Sequence, residues 1–145
     1  MQMNFSEIPW KEEQLLMDTK HYAVFKDKYP VTRGHLLFVP KETDWKHLAM
    51  CYKAAYNWGY GWVEQNFCDS YNIGQNCGIE AGQTVMWPHI HLIPRRKGDM
   101  EDPRGGVRHV IPEKGNYRKP MEKEMNGQFT TKEIVDATNN ILQSS

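Results

Sequence analysis

The chain has 145 residues, enough for one domain with its own hydrophobic core. Its 18 basic and 18 acidic side chains cancel, which argues against a general nucleic-acid binder but leaves room for one small anionic ligand held by a local cluster. Five tryptophans and seven tyrosines belong to a folded protein rather than a disordered one.

Residues 1–12 are polar, with Ile8-Pro9-Trp10 as an extended anchor. Gln14–Asp18 reads as a short strand, Thr19-Lys20 as a turn, and His21–Phe25 as a second strand by its aromatic and β-branched content. Asp27–Pro30 breaks that strand. Gly34–Pro40, an apolar run bounded by Gly and Pro, is a third, and such closely spaced strands imply an antiparallel meander. Glu42-Thr43-Asp44 starts a helix over about residues 44–66, with Thr43 or Asp44 as its cap. Leu48, Cys51, Tyr52, Ala55, Trp62 and Val63 fall on one face of it, a stripe that suits a core or a subunit contact better than a cofactor. Gly59 and Gly61 weaken its second half. After a turn at Asp69-Ser70, Tyr71–Gly74 is a fourth strand, and Asn76-Cys77-Gly78 turns the chain again. Beyond Pro94, residues 95–106 form a charged loop, Val107–Pro112 a short extended segment, and 113–128 an irregular stretch. Thr130–Ile134 opens a last helix whose apolar side is Ile134, Val135, Thr138, Ile141 and Leu142. It is expected to persist only when packed on the body or a partner.

Three scattered cysteines without CxxC spacing read as reduced thiols. There is no basic segment followed by an apolar one at the N-terminus and no apolar run of membrane-spanning length, so a cytoplasmic location without membrane contact is expected.

The stretch with the most chemistry is Gly82-Gln83-Thr84-Val85-Met86-Trp87-Pro88-His89-Ile90-His91-Leu92-Ile93-Pro94-Arg95. On a strand, His89 and His91 project side by side with Trp87, while Ile90 and Leu92 enter the core. The pair has three readings: half a metal site, a nucleophile with a helper, or two structural histidines. No His-Glu-x-x-His or CxxC completes a zinc set, although His21, His35, His47 and His109 could supply a third ligand. The phosphate reading has more support. A neutral imidazole is a competent nucleophile near neutral pH, and protonated His91, the Gln83 amide, the Thr84 hydroxyl and backbone N–H groups could neutralise phosphate oxygens.

These residues resemble the histidine triad (HIT) family, whose pattern is His-φ-His-φ-His-φ-φ after Gly-Gln-Thr/Ser-Val. Phe25–Lys41 is similar to the family's nucleoside-binding strand–turn–strand, and Asn72–Val85 to the stretch leading into the triad. The match spans about residues 14–97 of a single domain over 1–145. The resemblance implies an α+β fold: an antiparallel sheet of about five strands with one long and one shorter helix. It implies His89 as nucleophile, His91 as the histidine that binds the α-phosphate and assists the leaving group, and Asp27 as a ribose contact. Asn76, Gln83 and Thr84 would hold phosphate, and His35 would support the triad. It also implies a homodimer pairing through the long helix and a strand.

The departure is Trp87, where the family has its first histidine. An indole cannot accept a proton. Pro88 removes a ladder donor and interrupts the strand, as in the His-Pro-His of the related galactose-1-phosphate uridylyltransferases. The Trp87 carbonyl is still able to accept from the His89 ring. Arg95, Arg96, Arg104, Arg108 and Lys114 read either as receivers of distal phosphates or as a solvated surface balanced by Asp99, Glu101 and Asp102. The expected function is hydrolysis or transfer at the α-phosphate of nucleotide conjugates through a nucleotidyl-histidine. Dinucleoside polyphosphates are favoured over phosphoramidates, no cofactor is required, and Mg²⁺ enters only as a companion of the polyphosphate. The rivals are a nucleotide binder with little or no catalysis, favoured by Trp87, and a metal site on His89 and His91.

Overall fold

The computed structural model describes residues 3–118 and 128–144. Its centre is a fully antiparallel sheet of five strands: β1 (Leu15–Asp18), β2 (Tyr22–Lys26), β3 (Leu36–Pro40), β4 (Ser70–Gly74) and β5 (Ile90–Arg95). They lie side by side in the order β1-β2-β3-β5-β4. The α+β class expected from the sequence is the class observed.

Alternation along β5 sorts its side chains. Ile90, Leu92 and Pro94 are buried, and His91, Ile93 and Arg95 are half-buried. One face of the sheet presents Val24, Leu36, Phe38, Ile90 and Leu92 to Cys51, Ala54 and Ala55 of the long helix α1 (Trp45–Glu64). Each fully buried Phe, Ile or Leu of this layer contributes about 1.5–3 kcal/mol by leaving water. The opposite face carries Ala23, Phe25, Leu37 and Val39 under Trp87, with Phe5, Ile8 and Trp10 of the N-terminal segment against them. His91 lies directly opposite Leu37 in the ladder and therefore on this second face, away from α1.

Asp44 caps α1, its Oδ1 accepting the His47 N–H at 2.9 Å. Gly59, a weak point on propensity, is a packing requirement. A Cβ there would sit 2.5 Å from the Tyr71 ring, so only glycine lets α1 close on β4.

The C-terminal part departs from expectation. Val107–Pro112 is not extended: Gly106–Val110 is a 3-10 turn and Pro112–Gly115 a single helical turn, α2. Gly105 enters the turn at φ +102°, Pro112 presets the helical φ, and the Arg108 guanidinium donates to the Gly115 and Lys114 carbonyls at 3.1 Å each. The stretch expected to be irregular thus begins with helix, and its residues 119–127 lie outside the described part. The last helix, α3 (Thr131–Ser144), forms without burying Ile134 or Val135, which are exposed. Local bonds hold its start: the Thr130 N–H donates to Glu133 Oε2 and the Glu133 N–H to Thr130 Oγ1, a reciprocal cap. The Leu142 side chain lies outside the described part. Among the described residues no helix is long and apolar enough to cross a membrane, and the three cysteines are free.

Candidate active site

The loop before β5 is braced from within. The Gly78 N–H donates to Gln83 Oε1 at 2.8 Å, and Gln83 Nε2 donates to the carbonyls of Val85 at 3.0 Å and Met86 at 3.1 Å. The Gln83 amide, expected on phosphate, is thereby committed to the loop. Thr84 is exposed on the same loop. Pro88 delays the strand, so β5 begins at Ile90 and His89 stands just outside it. Trp87 lies on the same face of the sheet as the histidines, as the period of two suggested. It turns inward, is buried against Leu37 and Val39, and its Nε1–H donates to the Pro40 carbonyl at 2.8 Å. A substrate contact by the indole is not what this orientation offers.

The ring nitrogens take opposite polarities, and their partners fix which. His89 Nδ1 lies 2.9 Å from the Trp87 carbonyl, which can only accept, so the proton sits on Nδ1 and Nε2 keeps its lone pair. His35 Nδ1 accepts the Val31 N–H at 3.1 Å, so the neutral ring carries its proton on Nε2. That Nε2–H lies 2.9 Å from His91 Nδ1 and 3.4 Å from Asp27 Oδ2. His91 Nδ1 therefore accepts, and His91 presents Nε2–H. The His89 and His91 ring centroids are 5.2 Å apart, so a lone pair and a donor stand side by side.

Burial sets the charge. His91 is pushed down to about 4 by desolvation, with the neighbouring imidazoles of His35 and His89 adding to it and Asp27 opposing. His35 is lowered by its own burial, against the pull of Asp27. At neutral pH His91 is an uncharged donor, not the protonated group expected from sequence.

Asp27 sits at the end of β2. Its Oδ1 accepts the Tyr29 N–H at 2.7 Å and its Oδ2 faces His35. Asn76, His35 and His91 line a cavity of about 610 Å³ with Asn72, Arg95 and His109. The charged loop is mostly tied down. Arg95 holds Asp99 with two bonds of 2.8 and 2.9 Å and donates to Asn72 Oδ1 at 2.8 Å. Arg96 donates to the carbonyls of Arg33 and Phe67. The surface reading of these arginines fits better than a phosphate-receiving one.

Among the described residues, Asp27, His35 and His91 form a cluster tight enough for a metal ion. A cation there would need lone pairs on His35 Nε2 and His91 Nδ1. The Val31 N–H instead directs a proton to His35 Nε2, and that proton occupies the space between the rings. His21 and His47 face each other, and His47 Nδ1 is bonded to Asp44 at the start of α1.

The HIT domain family matches residues 9–98. The chain belongs to the HIT-domain family. Among curated relatives of this HIT-domain chain, the asymmetrical bis(5'-nucleosyl)-tetraphosphatase of Schizosaccharomyces pombe is 32% identical over 109 residues, 70% of this chain and 59% of that protein. The adenosine 5'-monophosphoramidase of Saccharomyces cerevisiae is 33% identical over 104 residues, 63% of this chain and 58% of the other. The chain thus spans somewhat under two thirds of the length of either enzyme. The crystal structure of a HIT family protein from Bacillus anthracis covers 91% of this chain and 87% of its own, with a TM-score of 0.60 at 20% identity, a likeness of fold.

Two neighbours of the HIT histidines carry little signal in the sequence. Trp10, legible only as an anchor, places its ring centroid 4.9 Å from that of His89. Val31, in the loop between β2 and β3, fixes the His35 tautomer through its backbone, which no residue pattern encodes.

Proposed function

We propose that this HIT-domain chain cleaves nucleotide conjugates at the α-phosphate through a covalent nucleotidyl-His89. The opposite polarity of the two rings carries this reading: a lone pair on His89 Nε2 beside a proton on His91 Nε2. His89 Nε2 attacks phosphorus, an N–P bond forms, and the bond to the leaving group breaks. The new positive charge on His89 is shared with the Trp87 carbonyl through Nδ1–H. His91 Nε2–H donates a hydrogen bond to the departing atom, and neutral Asn76 accompanies it on the same cavity wall. Water then attacks phosphorus, the N–P bond breaks, and the mononucleotide leaves. A departing amine takes up one proton, and the attacking water returns one. The anhydride and amide linkages named for the two relatives present the same α-phosphate to His89. The chemistry asks for no resident metal, and the ribose contact of Asp27 is part of the same proposal.

Protein freed of metal by a chelator is expected to release AMP from adenosine monophosphoramidate and from diadenosine tetraphosphate. Intact-mass spectrometry during turnover is expected to show an adenylyl adduct. His89→Ala should lose both, and retained turnover in that variant would sink the reading. The second reading, a nucleotide binder without catalysis, draws on the buried Trp87, which leaves no imidazole at that position. Tight AMP binding with neither adduct nor release would favour it.

A further inference from the structure

The cavity beside His91 is closed by a wall that lies beyond the matched HIT region. Residues 102–116 fold onto themselves there. Asn116 Nδ2 donates to Asp102 Oδ2 at 2.8 Å, His109 Nε2–H to the Arg104 carbonyl at 3.0 Å, and Arg108 Nε to the Gly115 carbonyl at 3.1 Å. A Cβ at Gly105 would collide with the Gly115 carbonyl, so the segment closes only with glycine there. The 3-10 turn Gly106–Val110 of this segment leans on β4 and lines the cavity.

Its contribution to the lining is apolar. Val107 is 66% exposed and Val110 78%, and Val31, on the same cavity, is 70% exposed. Ile93 continues this surface on the His91 face of β5. Bare aliphatic side chains gathered around one cavity mark a place for a ligand. The charges in the lining point the same way. Among the described residues its one guanidinium, Arg95, is neutralised by Asp99, no lysine or carboxylate lines the cavity, and His91 is uncharged at neutral pH. A polyphosphate chain would find no unpaired cation among these side chains.

The position of the cavity says which end of the substrate it receives. His91 lines it and His89 does not. In-line displacement carries the leaving atom away from His89, and the His91 Nε2–H that meets it in the proposed chemistry sets it beside the cavity that His91 lines.

We propose that Val107 and Val110, with Val31 and Ile93, form a leaving-group subsite that selects an uncharged aryl or alkyl group over a second phosphate-bearing nucleotide. This rests on the His89 chemistry above, and the test separates the two. In His89→Ala protein, calorimetry compares adenosine monophosphoramidate with its N-phenethyl derivative. The derivative is expected to bind about tenfold more tightly, the usual worth of an apolar group in an apolar pocket. Val107→Asp with Val110→Asp should collapse that ratio toward one, and Val107→Thr with Val110→Thr should reduce it less. Both sites are exposed, and circular dichroism checks the fold. Equal affinity for the two ligands, or an unchanged ratio in the Asp variant, overturns the subsite. So does a change in adenosine-over-uridine preference at a constant leaving group, which would assign the wall to the base. Kinetics on the unmutated chain provide the other arm. AMP release from every conjugate with a ratio insensitive to the wall would leave the chemistry standing and the subsite refuted. A wall-dependent binding ratio without any turnover would do the reverse.

Discussion

Trp87→Phe keeps the ring and deletes one donor, which leaves the carbonyl of the buried Pro40 without its indole partner. A buried acceptor stripped in this way costs about 1–3 kcal/mol, so the melting temperature should fall. The Trp87 carbonyl that orients His89 hangs on the same anchor, so kcat should drop with KM little changed. An unaltered melting curve and unaltered kcat would refute the link. His91 makes a pH prediction. Its native pKa lies near 4 against 6.5 for an unperturbed histidine, so between those values the unfolded chain binds more protons than the folded one. Stability is therefore complete above about pH 6.5 and is lost as pH falls toward 4. His35, also lowered, adds in the same direction. Thermal melts over that window should show a steeper decline for the unmutated chain than for His91→Asn, and parallel curves would contradict it. The histidine pair and the Asp27–His35 segment were legible because each is a short local pattern. The burial of Trp87 was not, because it depends on the end of β3 offering the Pro40 carbonyl to the indole. Nor was the neutral state of His91, which depends first on its burial and then on His35 beside it.

At the scale of elements, hydrophobic patterning found β1 to β5 and α1 to within a few residues, since each presents one face to a core. It failed where local contacts outweigh patterning. The β-branched letters of Val107–Pro112 suggest extension, but Gly105 and the Arg108 contacts to Gly115 and Lys114 coil the segment into turns. The apolar side chains Ile134 and Val135 of α3 are exposed in the single chain, and local contacts accompany its start: a reciprocal cap and a Lys132–Asp136 pair at 2.7 Å. Gly59→Ala tests the seat of α1. Helix propensity alone would make alanine stabilising, but the methyl would meet the Tyr71 ring, and overpacking costs about 1–3 kcal/mol. Chemical denaturation should show a loss, and a gain would mean that α1 does not bear on β4 as described.

For the whole molecule, β4 is an edge strand, and Tyr56 and Tyr60 on neighbouring α1 are more than half exposed. A homodimer through this side, implied by the family resemblance, should sediment at twice the 17.0 kDa of one chain, and Tyr60→Lys should shift it toward monomer. Sedimentation as a monomer at every concentration would dismiss it. The N-terminal segment crosses the other face of the sheet and brings Trp10 edge-on to His89, the ring centroids 4.9 Å apart. That contact makes the indole an optical witness. A phosphoryl group attached to His89 would set negative charge within a ring's width of the chromophore and shift its emission. A stopped-flow trace of tryptophan fluorescence should then display the birth and decay of the adduct in real time, and Trp10→Phe should silence the signal while the other four tryptophans still glow.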